Sequence, residues 1–136
     1  MHGRCLAAYL ISADVELLPA GAIPAHEFLQ GLDAFLHRTC PDFVEPRGRL
    51  VTEAMAWVLS VVCHSAGGYR EYLEHGTDGI HFDNDDKAIA ILETLRAEAA
   101  PRIRVSQCAR LKAEKLFSDE ARNVRAAWYI GTTPPV

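Results

Sequence analysis

Residues 49–65, RLVTEAMAWVLSVVCHS, decide the interpretation of the fold, because they contain the longest apolar segment of the chain. Drawn as a helix, this stretch is apolar on nearly every side, so other helices would have to surround it. We therefore predict a buried central helix over residues 49–65, with Trp57 on its buried side. Its polar positions fall on one narrow face that would touch water: Arg49, Glu53, Ser60 and His64.

The segments around this central helix also carry helical patterns. Residues 4–18 fit a helix and a strand, and we favour the helix because the pattern downstream is helical. Gly67 and Gly68 are predicted to end the central helix, with a positive φ at Gly68. A second helix begins near Pro24, and its apolar positions are Phe28, Leu32, Phe35 and Leu36. Later helices are predicted just after Gly68 and over residues 84–99, 101–117 and 118–131.

These elements predict an all-α fold. We expect a single-domain orthogonal bundle of about six helices over residues 1–131, built around the buried central helix. Residues 132–136, which include two prolines, are predicted to form a frayed C-terminal tail.

Composition is that of an ordinary globular protein. The 136 residues are 49% hydrophobic, enough for one domain to fold without metals or disulfides. The four cysteines (Cys5, Cys40, Cys63 and Cys108) are widely spaced and are interpreted as reduced thiols. No signal peptide and no apolar run long enough to cross a bilayer is recognisable in the sequence. We therefore expect a soluble, cytoplasmic protein.

Charge is unevenly distributed although the net charge is only −4. Residues 71–93 hold seven acids and one base, whereas residues 96–125 hold eight bases and four acids. Two surfaces of opposite sign are therefore expected.

Motifs for catalysis and cofactors are not apparent. Phosphate-binding glycine loops, the nucleophile elbow, zinc-protease and kinase signatures are all missing. Cys63 and His64 are adjacent, and on a helix their side chains would diverge rather than form a nucleophile pair. We predict no catalytic residue, no cofactor and no metal ligand, and leave open a metal on the loop 75–83, which carries His75, His81 and nearby acids.

One stretch resembles a known family. Residues 65–72, SAGGYREY, followed by an amphipathic helix over residues 87–95, resemble a bacterial family named for a DNA-mimic protein, a helical domain of unknown function. The similarity covers residues 50–117, with Ala66 where the family has asparagine and with Leu73, Glu74 and His75 in place of polar residues. The resemblance implies a helical fold and a protein that presents carboxylates to a DNA-binding partner.

The function predicted from these observations is a non-enzymatic inhibitor or regulator, similar to DNA mimics and immunity proteins. It would offer an acidic surface to a basic protein partner, with Tyr69 or Tyr72 as the buried anchor. Homodimerisation is left open. The acidic surface is predicted to consist of Glu71, Glu74, Asp78, Asp83, Asp85 and Asp86.

Two alternatives are kept. The first is a nucleic-acid-binding module that uses the basic segment 96–125. The second is an uncharacterised enzyme. The bases proposed for the first alternative are Arg102, Arg104, Arg110, Lys112 and Lys115.

Overall fold

The chain folds into a three-stranded parallel sheet with helices on both faces. The structure is a computed structural model, and it describes residues 15–40 and 42–131. The predicted all-α bundle is therefore wrong. The strands are arranged in the order β1-β2-β3. The helices are α1 (Ala25–Gln30), α2 (Arg49–Ala56), α3 (Asp85–Ala97), α4 (Ala99–Leu116) and α5 (Asp119–Tyr129). The strands are β1 (Ala34–His37), β2 (Ser60–His64) and β3 (Ile80–Phe82), and a short 3-10 helix spans Gly68–Glu71.

The predicted central helix is in fact a helix, a tight turn and a strand. Helix α2 ends at Ala56, Val58 adopts a left-handed conformation with φ of 60°, and β2 begins two residues later. A short apolar run does not distinguish a buried strand from a buried helix by its periodicity. The valines at 61 and 62 are β-branched, and they favour the strand because their stiff side chains pack well on a pleated surface.

One further helical prediction and one loop prediction also fall on strands. The apolar positions Phe35 and Leu36, assigned to a second helix, lie in β1. The loop predicted over residues 75–83 contains β3. The C-terminal helices lie close to where they were predicted, with Ser118 accepting a hydrogen bond from the amide of Ala121 at the start of α5. Segment 4–14 and the tail 132–136 lie outside the described residues.

The parallel register divides the core into two halves. Leu36 of β1 pairs with Val62, which pairs in turn with Ile80 of β3. On one face of β2, Val61 and Cys63 pack against α2 and α4. On the other face Val62 and Phe82 pack against α3. Because both faces are covered, β2 is almost entirely buried and its three middle residues are apolar, as is usual for the central strand of a parallel sheet.

Two aromatic predictions are corrected by the exposure of their side chains. Trp57, predicted to be buried, is 39% exposed, because the helix ends beside it and it faces the outside of the turn. The apolar positions of the helix predicted over 118–131 would place Trp128 inward, but in α5 this side chain is 75% exposed. No helix within residues 15–40 and 42–131 has the length and apolarity needed to cross a membrane.

Replacing Val58 by glycine should reduce the stability of the fold less than the same replacement at an unstrained, exposed valine. A left-handed conformation costs an L-residue about 1–2 kcal/mol, and the strain is greatest for β-branched side chains. The matched control is Val44→Gly, since Val44 is also exposed and has no positive φ. We expect Val58→Gly to be more stable than Val44→Gly by about 1–2 kcal/mol in chemical denaturation. Equal losses of stability would show that position 58 is unstrained.

Candidate functional site

The three parallel strands end at one edge of the sheet, which we call the carboxyl edge. His37 ends β1, His64 ends β2 and Phe82 ends β3. Helix α2 leaves this edge and returns the chain to the opposite, amino edge, so the N-terminus of α2 also lies at the carboxyl edge. In open parallel sheets, ligands bind in the crevice outside the carboxyl ends of the strands.

The loops that follow β1 and β2 are joined by backbone contacts. The amide of Gly68 donates a hydrogen bond to the carbonyl of Glu45 at 2.9 Å. The Tyr72 hydroxyl donates to the carbonyl of Arg47, also at 2.9 Å. Gly68 lies so close to Pro46 that a Cβ atom would collide with the Pro46 carbonyl oxygen. Gly68 is therefore required for close approach, and the predicted positive φ at this residue is wrong.

Glu45 is held at the carboxyl edge by a histidine. Its Oε2 atom lies 2.7 Å from Nε2 of His37, an ion pair when the imidazole is protonated, and the two side chains are 19% and 10% exposed. The ring of His37 stacks on Phe35 and meets the edge of Tyr69. Both partners are thus fixed by buried neighbours, and the Glu45 carboxylate has a defined position beside the start of α2.

The N-terminus of α2 is available to an anion. Its cap residue Gly48 is left-handed, provides no side-chain cap, and the first turn contains no acidic residue. Arg47 and Arg49 flank this end and are exposed. The unpaired amides and the helix dipole make such an end attractive to negative charge. Arg49 forms an exposed ion pair with Glu53, at 2.7 Å.

A small cleft lies beside these groups. Its volume is about 180 Å³, and its walls include Arg38, Phe43, Val44 and His64. Arg38 forms an ion pair with Asp85 at the start of α3, which ties the loop after β1 to the helix after β3. The cleft therefore lies at the ends of β1 and β2, between the loops that follow them.

The loop after β2 is also tied to the end of β3. The Ser65 hydroxyl donates to Oδ1 of Asp83 at 2.5 Å, and Lys87 pairs with Oδ2 at 3.0 Å. The hydrogen bond from Ser65, followed by that from Lys87, lowers the pKa of Asp83. Asp83 is consequently an ionised, structurally engaged carboxylate.

The predicted acidic surface is divided between different surroundings. Asp83 and Asp85 lie at the carboxyl edge, where both are paired, and Asp86 is exposed in the first turn of α3. Asp78 is only 3% exposed, lies 3.1 Å from Lys112 and accepts a hydrogen bond from the amide of Glu74. Asp78 is thus a buried structural contact, while Glu71 and Glu74 are exposed. A role for these residues in binding a partner stays a prediction.

Neither of the predicted aromatic anchors is a freely exposed side chain. Tyr69 is fully buried, and burial raises the pKa of Tyr69 to about 12. Its hydroxyl donates to the carbonyl of His64 at 2.6 Å, and Tyr72 is half-buried with its hydroxyl on the loop after β1. Gly67, the other predicted motif residue, is extended and packs closely under the Tyr69 ring.

The basic segment is likewise engaged within the chain. Arg102 donates to the carbonyl of Leu95 at 3.1 Å, and Arg110 donates to the carbonyl of Ala56. Lys112 is the partner of Asp78, whereas Arg104 and Lys115 are exposed. These contacts explain much of the positive charge as helix-to-core attachment.

The two histidines of the 75–83 loop interact with each other. The amide of His81 donates to Nδ1 of His75 at 2.9 Å, and the ring centroids are 5.7 Å apart. Burial, followed by the neighbouring His75, lowers the pKa of His81. Within the described ranges, no three potential metal-ligating side chains cluster closely enough to hold an ion.

Several residues of the carboxyl edge were missed at the level of sequence. The sequence does not single out His37, Glu45 or the N-terminus of α2. Segment 41–48 has the pattern of a loop between two helices, with a proline at 41 and at 46. Gly48, directly before a helical pattern, was the available signal. It becomes informative only when residues 60–64 are recognised as a strand.

Comparison with known proteins identifies the fold and the family. The family model of glycosyl transferases group 1 matches residues 5–107. The Anabaena protein Alr3699/HepE in complex with UDP superimposes with a TM-score of 0.69 at 24% identity, over 77% of this chain and 29% of that one. The same protein in complex with UDP-glucose gives a TM-score of 0.68 at 24% identity over 79% and 29%. Among curated proteins no sequence match is found.

The limits of this likeness are clear from its extent. At 24% identity it concerns the fold, an α/β Rossmann-like glycosyltransferase fold. The chain spans about 29% of the length of the HepE chain.

These findings overturn the functional predictions made from sequence. The resemblance to a DNA-mimic family is wrong, because the matched family is one of glycosyl transferases. A non-enzymatic inhibitor with a basic protein partner is also wrong for the same reason, as is the immunity-protein interpretation. Of the alternatives, the uncharacterised enzyme agrees better with the family than the nucleic-acid-binding module does.

Gly68→Ala should destabilise the chain by about 1–3 kcal/mol, because its Cβ would push the two loops apart. Gly31→Ala is the matched control, since its Cβ would meet its nearest neighbour at 3.6 Å, an ordinary contact. We expect the control to change stability by less than about 0.5 kcal/mol. Denaturant unfolding of both variants measures the difference, and a Gly68→Ala protein as stable as the control would contradict the close approach.

Lowering the pH should destabilise the chain through His81. Its pKa in the folded chain lies below the ordinary value of 6.5, so the unfolded chain takes up the proton first. Stability is therefore full above pH 6.5 and falls as the pH drops towards the folded pKa. We expect His81→Gln to lose less stability than the parent between about pH 7 and pH 5. An identical pH dependence of unfolding in His81→Gln and in the parent would contradict this role of His81.

Proposed function

The chain belongs to the family of glycosyl transferases group 1, and on that premise we propose that its carboxyl edge binds a nucleoside-diphosphate sugar, the donor of a glycosyl transfer. The observation that carries this proposal is one arrangement. The uncapped N-terminus of α2 lies directly after a carboxylate, Glu45, that His37 holds in place. A sugar diphosphate presents the two complementary groups, an anion and neighbouring hydroxyls.

The diphosphate would bind at the N-terminus of α2. The amides of the first turn point out of the helix end, and Arg47 adds positive charge beside them. The left-handed Gly48 fixes the path of the chain into α2, because a side chain there would collide with the ring of Tyr69. It adds no side chain that would cap the first-turn amides.

The sugar would lie against Glu45. A carboxylate accepts hydrogen bonds through both of its oxygens, and sugar hydroxyls are donors. With Oε2 beside His37, the other oxygen, Oε1, is available to a ligand. A UDP-glucose complex of the structurally similar HepE is consistent with this class of ligand.

The same arrangement suits the transfer step. The bond between the anomeric carbon and the diphosphate oxygen breaks and its electron pair leaves with the diphosphate, while the acceptor oxygen forms a bond to that carbon. The proton of the acceptor hydroxyl is released to solvent water. Negative charge grows on the departing diphosphate. A helix N-terminus already aimed at that charge stabilises it without reorganisation.

Glu45→Gln should separate sugar binding from diphosphate binding. Loss of a charged hydrogen-bond acceptor should weaken UDP-glucose binding by about tenfold or more. UDP, which lacks the sugar, should bind as well as before or slightly better, since a negative charge beside the phosphates has been removed. Isothermal titration of the chain with UDP and UDP-glucose measures both, and ADP and GDP sugars test the base.

A matched carboxylate far from this edge is the control. Glu120→Gln, at an exposed position in the first turn of α5, should leave both affinities unchanged. Equal weakening of UDP and UDP-glucose by Glu45→Gln would assign Glu45 to the fold of the loop. Failure of every nucleoside diphosphate to bind would overturn the proposed function itself.

A further inference from the structure

The amino edge of the sheet carries a second, larger cavity that the donor site does not use. Its volume is about 340 Å³, within the range of ligand pockets. It lies where α2 ends and where β1 and β2 begin, so the length of a strand separates it from the carboxyl edge, about 13–17 Å. We call it the amino-edge pocket. The residues that matter to its chemistry are Gln30, Asp33, Trp57, Val58, Arg102 and Ile103.

One wall of the amino-edge pocket is apolar and exposed. Trp57, Val58 and Ile103 are 39%, 46% and 50% exposed although each lines the cavity. Val58 is the residue with a left-handed backbone, and strained residues of this kind concentrate at ligand sites. The strained turn presents the Trp57 indole at the mouth of the pocket instead of burying it in the core.

The other wall is polar and balanced in charge. Asp33 is the only acid and Arg102 the only base among the described lining residues. Arg102 uses Nη1 to hold the Leu95 carbonyl at 3.1 Å, which fixes the guanidinium and leaves its remaining N–H groups to donate. In the described part of the chain, the side chains of Gln30 and Asp33 have no hydrogen-bond partner. The pocket thus offers donors and acceptors without a net charge.

We propose that the amino-edge pocket binds a neutral saccharide unit. Asp33 would repel a phosphate and Arg102 would repel a cation, so the pocket does not favour an ion of either sign. A purely apolar ligand would leave the polar wall without partners, which is unfavourable. A pyranose matches both walls, because it has an apolar C–H face for the indole and a rim of hydroxyls that both donate and accept. The proposal stands on this pocket and does not require the donor site.

The pocket should be tested through its own tryptophan. The chain has two tryptophans, Trp57 and Trp128, so Trp128→Phe leaves Trp57 as the single reporter. The probes are glucose and its neutral oligomers of two to six units, in α-linked and β-linked series. We expect a saturable change in Trp57 fluorescence with at least one series, in the millimolar range.

Two variants locate the binding. In the Trp128→Phe background, Asp33→Ala should weaken binding by about tenfold, since a charged acceptor is lost. Its melting temperature should stay near that of the parent, because Asp33 is exposed. Glu45→Gln, at the opposite edge, should bind the oligosaccharide as the parent does. Backbone amide shifts in an NMR titration should move at Gln30, Asp33 and Arg102 rather than at Arg49.

The results that overturn the proposal are equally defined. No saturable change with either series, up to the solubility of the oligomers, excludes a saccharide site. An affinity that Asp33→Ala leaves unchanged excludes this pocket. Loss of oligosaccharide binding in Glu45→Gln would place the sugar at the carboxyl edge and so separate failure of this proposal from failure of the donor site.

Discussion

The left-handed turn at Val58 is the constraint on which the rest of the structure depends. The amide of Trp57 donates to the carbonyls of Glu53 and Ala54, and the amide of Leu59 donates to that of Ala54, all at 3.1 Å. These bonds close the last turn of α2 and reverse the chain within two residues. Because the reversal is so short, β2 enters the sheet beside β1 and parallel to it. The carboxyl ends of both strands, and the start of α2, are thereby brought to one edge.

Tyr69 links the core to the groups at that edge. Its ring belongs to the same apolar cluster as Val51, Met55 and Val61, and its hydroxyl binds the last carbonyl of β2. The ring edge meets His37, which in turn lies against Glu45. A side chain fixed by core packing therefore determines where a carboxylate stands beside the helix end. Since cores tolerate only small changes in volume, this chain of contacts gives the site a rigid support.

The sequence contains enough to predict the C-terminal helices but not the sheet. Ser118 with its following acids, and the amphipathic pattern of 84–99, are local signals that need no tertiary information. The segment 57–63 is different, since a continuous apolar run suits either a helix or a strand buried on both faces. The turn at Val58 could not be predicted either, because a left-handed residue is usually glycine or asparagine rather than valine. With β2 assigned to a helix, no strand remained for β1 to pair with. Phe35 and Leu36 were therefore assigned to a helix as well.

Site residues were missed for a related physical reason. His37, Glu45 and Gly68 come together only because two strands end side by side, and no spacing along the chain expresses that contact. The sequence instead points to the acidic segment 71–93 and the basic segment 96–125. Yet Asp78 and Lys112, one from each segment, turn out to form an ion pair with a buried carboxylate. At this pair, opposite charges that are separated in sequence form a folding contact rather than two surfaces.

If the carboxyl edge binds the proposed anionic donor, the electrostatic attraction must act over a short distance. The chain has a net charge of −4, so its distant field repels a nucleoside diphosphate rather than attracting it. Salt screens exposed charges beyond about 10 Å, which weakens that repulsion but leaves short-range contacts largely intact. Within this distance the helix end, Arg47 and Arg38 oppose the carboxylates of Glu45 and Asp85. The Arg38–Asp85 ion pair offsets one of these negative charges, so a phosphate at this edge would be positioned mainly by the α2 N-terminus and Arg47.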